Sequence, residues 1–228
     1  MNDSVAKKII ENAKNFVIIG EAGSGKTEVS LNLALAIHKN SGKQIHFFDM
    51  DQTKPILRAR DSSEFVSREG VVFHYQEQFM DAPVVAAGVI ERLRDPESIV
   101  ILDIGGGAYG SHMIGQFAGF LNGADTKTVY LINPYRPWSG SRGDIEETIA
   151  RTAGAAHLEK LSVAANPNYG LSTTAEDVLS GIEKLREMLP DTEIEFVSVM
   201  KELSDEVSRR CDLPVLTIDL NTIPEWMR

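Results

Sequence analysis

The stretch VIIGEAGSGKTEVS, residues 17–30, constrains this chain more than any other. Its core, Gly20 to Thr27, fits G-x-x-x-x-G-K-[ST]. It follows an apolar run and opens an amphipathic one, the strand–loop–helix setting that gives the pattern its physical meaning. Glycines let successive backbone N–H groups turn toward an anion, and the helix beyond offers its N-terminus to the same charge. The expected binding set is Gly20, Gly23, Ser24, Gly25, Lys26, Thr27 and Glu28. Lys26 is placed to reach the β- and γ-phosphates of a nucleotide and Thr27 to ligate Mg²⁺. A chance Gly-rich turn is the bland alternative, and the flanking strand and helix argue against it.

Short apolar runs alternate with amphipathic stretches along most of the chain. The runs predict strands at 16–20, 44–49, 71–76, 98–104, 128–133, 160–166, 194–200 and 215–219. Helices are expected near 26–39, 84–94, 109–121, 142–154, 173–189 and 203–210. The runs at 16–20 and 98–104 are apolar almost throughout, as in strands covered on both faces of a parallel sheet. Thr173-Thr174-Ala175-Glu176 reads as a capping box, and Ser141-Arg142-Gly143-Asp144 as a weaker one. Such alternation predicts an α/β fold, a mainly parallel sheet sandwiched by helices, in the manner of P-loop NTPases. With 228 residues, 43% of them hydrophobic, and no long linker, the expectation is one domain over 1–228, with 1–15 as an N-terminal helical extension.

The net charge of −10 argues against a sequence-independent grip on nucleic acid or anionic lipid, which needs clustered Lys and Arg. No run approaches the ~20 apolar residues that span a bilayer. The single cysteine, Cys211, excludes an internal disulfide and a cysteine-built metal site. A cytoplasmic setting is the simplest expectation.

Acidic residues at strand ends narrow the chemistry. In IVILDIGGG, Asp103 is followed by Ile104 and three glycines, an Asp-x-x-Gly arrangement. A carboxylate there orients Mg²⁺ through water, while the glycines let backbone amides approach a terminal phosphate. In FFDMDQTKP, Asp49 and Asp51 lie 25 residues or less beyond Lys26, at the carboxyl end of the second strand, where ligand crevices of parallel sheets form. Two carboxylates there can serve Mg²⁺ and align an attacking water. A solvated Asx-rich turn is the alternative.

With these motifs in place, residues 16 to 219 resemble the MinD/ParA/CobQ-type family of SIMIBI-class P-loop proteins. The resemblance implies that Asp51 positions water, that Lys26 acts with it, and that Thr27, Asp49 and Asp103 serve Mg²⁺. It implies that Asn166, in VAANPNYG, contacts the purine, with Asn168 nearby; a turn-forming Asn-Pro-Asn is the alternative. NPYRPWSGSRGD, 133–144, is expected over the nucleotide or a partner, with no role assigned to Arg136 or Arg142. Members that dimerise face to face carry a signature lysine early in the loop, where this chain has Glu21 or Ala22, so dimerisation across ATP is not supported. Basic DNA-binding surface, a basic membrane helix and paired metal-handling cysteines are absent from the sequence as well.

The expected function is therefore Mg·ATP binding with slow hydrolysis, switching a protein partner. Two alternatives share the core. One is an ATP-dependent kinase or ligase of the dethiobiotin-synthetase or cobyrinate-amidating kind, with NPYRPW or QEQFMDAP lining the acceptor site and Arg58, Arg60 or Arg136 meeting a carboxylate. The other is a nucleotide sensor with little turnover. No Asn-Lys-x-Asp element favours GTP.

Overall fold

The computed structural model describes residues 8, 11, 13–51, 67, 69–75 and 88–220. Eight strands form one sheet in the order β3-β2-β4-β1-β5-β6-β7-β8. They are β1 (Asn15–Ile19), β2 (Gln44–Asp49), β3 (Val72–His74), β4 (Ser98–Asp103), β5 (Thr126–Ile132), β6 (Ser162–Ala165), β7 (Ile194–Met200) and β8 (Val215–Ile218). Every neighbouring pair is parallel.

The helices are α1 (Lys26–Ser41), α2 (Val89–Arg94), α3 (Gly107–His112), α4 (Ala118–Leu121), α5 (Arg142–Ala156), α6 (Ala175–Met188) and α7 (Lys201–Arg210). Short 3₁₀ turns at Gly115–Phe117 and Pro137–Ser139 complete them.

Side chains of β1 alternate between two cores, as the period of a strand requires. Phe16 and Ile18 join Val29, Leu33 and Ile37 of α1, with Phe47 of β2. Val17 and Ile19 join Leu93 of α2, Ile145 of α5, Val178 and Ile182 of α6 and Val207 of α7. Both faces of the sheet are thus covered, which is why β1 and β4 tolerate no exposed residue. Helix α1 is buried over most of its circumference. Its leucines and isoleucines each contribute about 2 kcal/mol of apolar burial. Asn32 fastens its middle to the chain after β8, donating to the Asp219 carbonyl at 2.9 Å and accepting from the Asp219 N–H at 2.9 Å.

Strand β1 lies between β4 and β5. The chain leaves β1 toward β2 on one side and later returns on the other, so the carboxyl end of β1 is the topological switch point where ligand crevices open. The P-loop occupies it.

Strands 44–49 and 194–200 fall where the sequence puts them, and β1 begins one residue early, at Asn15. The strand expected over 71–76 is shorter, at Val72–His74. The helix expected over 109–121 is three pieces, α3, a 3₁₀ turn and α4, in a segment with glycines at 107, 110, 115 and 119. The capping box of α6 sits one residue later than expected: Thr174 accepts from the Asp177 N–H, and Asp177 accepts from the Thr174 N–H. The Thr173 hydroxyl is already used, donating to the Gly170 carbonyl at 2.6 Å and accepting from the Tyr169 N–H at 2.9 Å. Ser141 caps α5 as expected, accepting from the Asp144 N–H. Most of the expected N-terminal helix, the beginning of the helix expected near 84–94, and Arg58, Arg60 and QEQFMDAP lie outside the described residues. Among the described residues no helix is long and apolar enough to cross a membrane.

Candidate phosphate-binding site

The loop from Gly20 to Gly25 is shaped from outside by side chains far away in sequence. Asn166, just beyond β6, donates its amide to the Ser24 carbonyl at 2.7 Å. Arg136 donates Nε to the Gly23 carbonyl at 3.0 Å, and Trp138 donates its indole N–H to the Ala22 carbonyl at 3.3 Å. Lys26 curls over the loop to donate to the Glu21 carbonyl at 2.9 Å. Because a trans peptide is planar, a carbonyl held outward turns the following N–H the opposite way. Pinning the carbonyls of Ala22, Gly23 and Ser24 therefore turns the N–H groups that follow them away from the bracing side chains. Ser24 N–H also closes a turn on the Glu21 carbonyl at 3.3 Å.

Gly25 then starts α1 as its N-cap in the left-handed region, φ 95°, with no side chain capping the helix. A Cβ there would lie 2.2 Å from the Asn166 amide nitrogen, so the bracing contact and the glycine require each other. The uncapped start of a sixteen-residue helix joins its dipole to the loop's N–H groups. Lys26 is 1% exposed at the first position of that helix, an end that disfavours cations unless an anion arrives.

The acidic set lies beside it. Asp49 ends β2 directly across from Asp103, which ends β4. Asp51 follows, its N–H donating to Asp49 Oδ1 at 3.0 Å, so the Asx turn weighed as an alternative is present and holds the two acids together. All three are buried, at 5%, 3% and 0% exposure for Asp49, Asp51 and Asp103. Ser30 of α1 donates to Asp103 Oδ1 at 3.2 Å. Gly105 approaches Asp51, whose Oδ1 is 3.2 Å from where a Cβ of residue 105 would stand. Among the described residues no three His, Cys, Asp or Glu groups form a metal cage. Thr27 is buried at the helix start beside the loop, where its hydroxyl and one or two carboxylate oxygens could complete a Mg²⁺ shell made mostly of phosphate and water.

Glu21 has a specific setting. Its carboxylate accepts from Arg151 of α5 at 2.8 Å and covers Gly107, where a Cβ would stand 2.9 Å from Glu21 Oε2. Gly107, φ 65°, donates its N–H to the Gly20 carbonyl at 3.0 Å. The P-loop and the glycine turn after Asp103 are therefore interlocked.

Asn166 is engaged on both sides of its amide: it also accepts from the Ser198 hydroxyl at 2.7 Å. The structure gives it a bracing contact with the P-loop that the expected purine contact had not suggested. Glu28 is half-buried in the first turn of α1 and accepts from Asn32. Asn168 sits in the turn beyond β6, where its carbonyl accepts from Asn133 at 2.8 Å. Tyr169 beside it stacks on Tyr135 with ring centres 4.0 Å apart. Arg142 is committed to Glu146 at 2.7 Å and approaches Asp191 at 3.8 Å. Sequence reasoning missed the bracing by Arg136 and Trp138; its signal was the placement of NPYRPW after the strand adjoining β1.

No protein-family model matches the chain, and no curated protein does. Solved structures do. FtsY, a cell division protein of Thermotoga maritima, superposes with a TM-score of 0.53 at 15% identity, covering 86% of this chain and 68% of that one. FtsY of Mycoplasma mycoides superposes with a TM-score of 0.54 at 14% identity, covering 83% of this chain and 61% of that one. This chain thus spans roughly two thirds of either neighbour. The likeness shows a shared fold and does not single out the MinD/ParA/CobQ-type family that the motifs resemble. This chain has the α/β fold of those structures, a parallel sheet covered by helices on both faces.

Proposed function

We propose that this protein binds a nucleoside triphosphate, ATP, with Mg²⁺, hydrolyses it slowly, and uses the cycle to switch its grip on a protein partner. The observation that carries the reading is the braced loop, with its carbonyls held outward by Asn166, Arg136 and Trp138 at the uncapped start of α1. A preorganised anion nest of that kind suits a phosphate chain. Gly20, Gly23, Ser24, Gly25, Lys26, Thr27 and Glu28 hold the phosphates, and Asn166 keeps the cradle in shape on the purine side. Thr27, Asp49 and Asp103 hold Mg²⁺, directly or through water, and Asp51 aligns the attacking water. When bound, the ion supplies charge neutralisation on the phosphate oxygens.

The kinase or ligase reading draws less support from NPYRPW, whose Arg136 and Trp138 donate to carbonyls of the P-loop. The sensor reading gains from Glu21, a carboxylate paired with Arg151 at the place where members that dimerise face to face carry a signature lysine. Phosphate release from ATP and GTP, with and without Mg²⁺, tests the reading in wild type and Asp51→Asn. The expected result is slow Mg-dependent release from ATP that Asp51→Asn removes while binding persists. Tight binding with no release in wild type makes the protein a sensor.

A further inference from the structure

We propose that Glu21, oriented by Arg151, is a positioning residue for the glycine turn at 105–107, holding it between the P-loop and Asp51 and so setting the rate of phosphate release rather than the affinity for nucleotide. The inference rests on the nucleotide-binding reading above and deepens it by a residue that acts through the turn.

The turn fits its place because it has no side chains. A Cβ at residue 105 would stand 3.2 Å from Asp51 Oδ1 and 3.3 Å from the Gly110 Cα. At residue 106 it would stand 2.9 Å from the Ala22 Cα, and at residue 107 it would stand 2.9 Å from Glu21 Oε2. Gly107 also has a φ of 65°, which glycine adopts without strain. The turn therefore meets Asp51 at one end and residues 20–22 of the P-loop at the other, where the Gly107 N–H donates to the Gly20 carbonyl at 3.0 Å. Packing this close leaves no slack, so a shift at 107 displaces 105 and changes its contact with Asp51.

At the Gly107 end the holding group is a carboxylate. The three atoms nearest to the Cβ position of residue 107 are Cδ and both carboxylate oxygens of Glu21. Arg151 of α5 donates to Oε1 at 2.8 Å, which leaves Oε2 over the turn. The Glu21 carbonyl is fixed as well, accepting from Lys26 Nζ at 2.9 Å and from the Ser24 N–H at 3.3 Å. An exposed ion pair contributes little stability by itself. In this pair the Glu21 side chain is covered, at 13% exposure, while Arg151 is 54% exposed. Its consequence is orientation. Helix α3 continues from the turn and packs against α5, the helix that carries Arg151, so Glu21 ties the turn, the P-loop and α5 together.

The experiment has to separate positioning from binding. Amide hydrogen exchange on the nucleotide-free full chain reads protection over 105–110. Calorimetry with a non-hydrolysable ATP analogue and Mg²⁺ reads affinity, and phosphate release at saturating Mg·ATP reads turnover. The variants are Glu21→Ala, Glu21→Gln, Arg151→Ala and the double Glu21→Ala/Arg151→Ala. In Glu21→Ala, exchange over 105–110 speeds up and phosphate release slows, each about tenfold, the size of one lost charge-assisted hydrogen bond, while analogue affinity stays within about threefold. Glu21→Gln keeps the shape and an acceptor for Arg151, and recovers most of both. Arg151→Ala shows a smaller loss of the same kind, and the double variant is no worse than Glu21→Ala, because Arg151 acts through Glu21.

Wild-type exchange and release in Glu21→Ala overturn the proposal. So does a loss confined to affinity, which assigns Glu21 to the phosphate cradle, and so does a double variant whose losses multiply, which separates the two residues. A wild type that binds the analogue but releases no phosphate overturns the claim on rate. A wild type that binds no nucleotide overturns the nucleotide-binding reading and the claim on rate together. The exchange result tells that failure from a failure of the Glu21 contact, which would leave 105–110 equally protected in wild type and Glu21→Ala.

Discussion

The two flanks of the P-loop are built on opposite plans. On the β5–β6 flank, neutral or cationic side chains from Asn166, Arg136 and Trp138 hold backbone carbonyls. On the β2–β4 flank, Asp49, Asp51 and Asp103 bring carboxylates to the ends of adjacent strands. The first flank determines where the loop's N–H groups point, and its cost in order is met by folding rather than by binding. In the proposed reading the second acts on a phosphate once held, its carboxylates serving the ion and the water. Damage to the first flank is expected in affinity and damage to the second in turnover.

The largest expected effect attacks the first flank at its tightest point. Gly25→Ala places a Cβ within 2.2 Å of the Asn166 amide at a left-handed φ of 95°. Strain of this kind costs ~1–3 kcal/mol before the clash is counted. Nucleotide affinity should fall beyond ~100-fold by calorimetry, the order expected when both the cradle and its brace are lost. A variant that binds as well as wild type shows that the brace does not shape the loop.

On the second flank, Asp103→Asn keeps size and the contact with Ser30 but removes the charge. Phosphate release should drop by ~100-fold, within the usual range for a general acid–base or ion-orienting group, with affinity changed only a few-fold. Loss of binding with normal turnover at saturation would erase the distinction between the flanks.

Asn166→Ala sharpens it from the other side. It removes the donor to Ser24 and one of the two acceptors of Ser198, whose hydroxyl keeps the Ala165 carbonyl, costing ~1–3 kcal/mol, or roughly tenfold in affinity, with turnover at saturating nucleotide unchanged.

The smallest effect serves as a control away from the loop. On the β2–β3 edge, His46 Nδ1 and His74 Nε2 are 2.8 Å apart, a bond that needs at least one neutral ring. Burial, then the nearby His74 and Arg92, hold His46 down at about 4 from an ordinary 6.5; burial and Arg92 lower His74 as well. With folded values below unfolded ones, the unfolded chain binds protons first as the solution is acidified. Stability from this pair is therefore complete above pH 6.5 and is lost as pH falls toward 4. Urea titrations should show a decline of about 2 kcal/mol across that window, flattened in the His46→Leu/His74→Phe double variant, with nucleotide affinity at pH 7.5 unaffected in both. A double variant that weakens nucleotide binding would tie this edge to the site.

Much of this was legible in the sequence because it is written locally. Apolar runs bounded by turns located β2 and β7 to the residue, and the glycine spacing around Lys26 located the cradle. Reading failed where a residue's local preference was overridden. Thr173 looks like a cap, but its hydroxyl closes the 169–173 turn, so Thr174 caps instead. The run from 109 to 121 is apolar enough for a helix, and its glycines divide it. The bracing contacts left no trace beyond the placement of NPYRPW after β5, since Arg136, Trp138 and Asn166 meet carbonyls 113, 116 and 142 residues away. A hydrogen bond to a backbone carbonyl imposes no residue type on its acceptor, so no paired pattern marks it.

The most direct test of the account is calorimetric titration of wild type and Lys26→Ala with Mg·ATP and Mg·GTP. Lys26 is the buried cation whose position at the start of α1 makes sense beside a polyphosphate. The account predicts Mg-dependent ATP binding to wild type, tighter than GTP, and a loss of ~100-fold or more in Lys26→Ala with the fold intact by circular dichroism. Binding that survives Lys26→Ala unchanged, or a folded wild type that binds neither nucleotide, would contradict it.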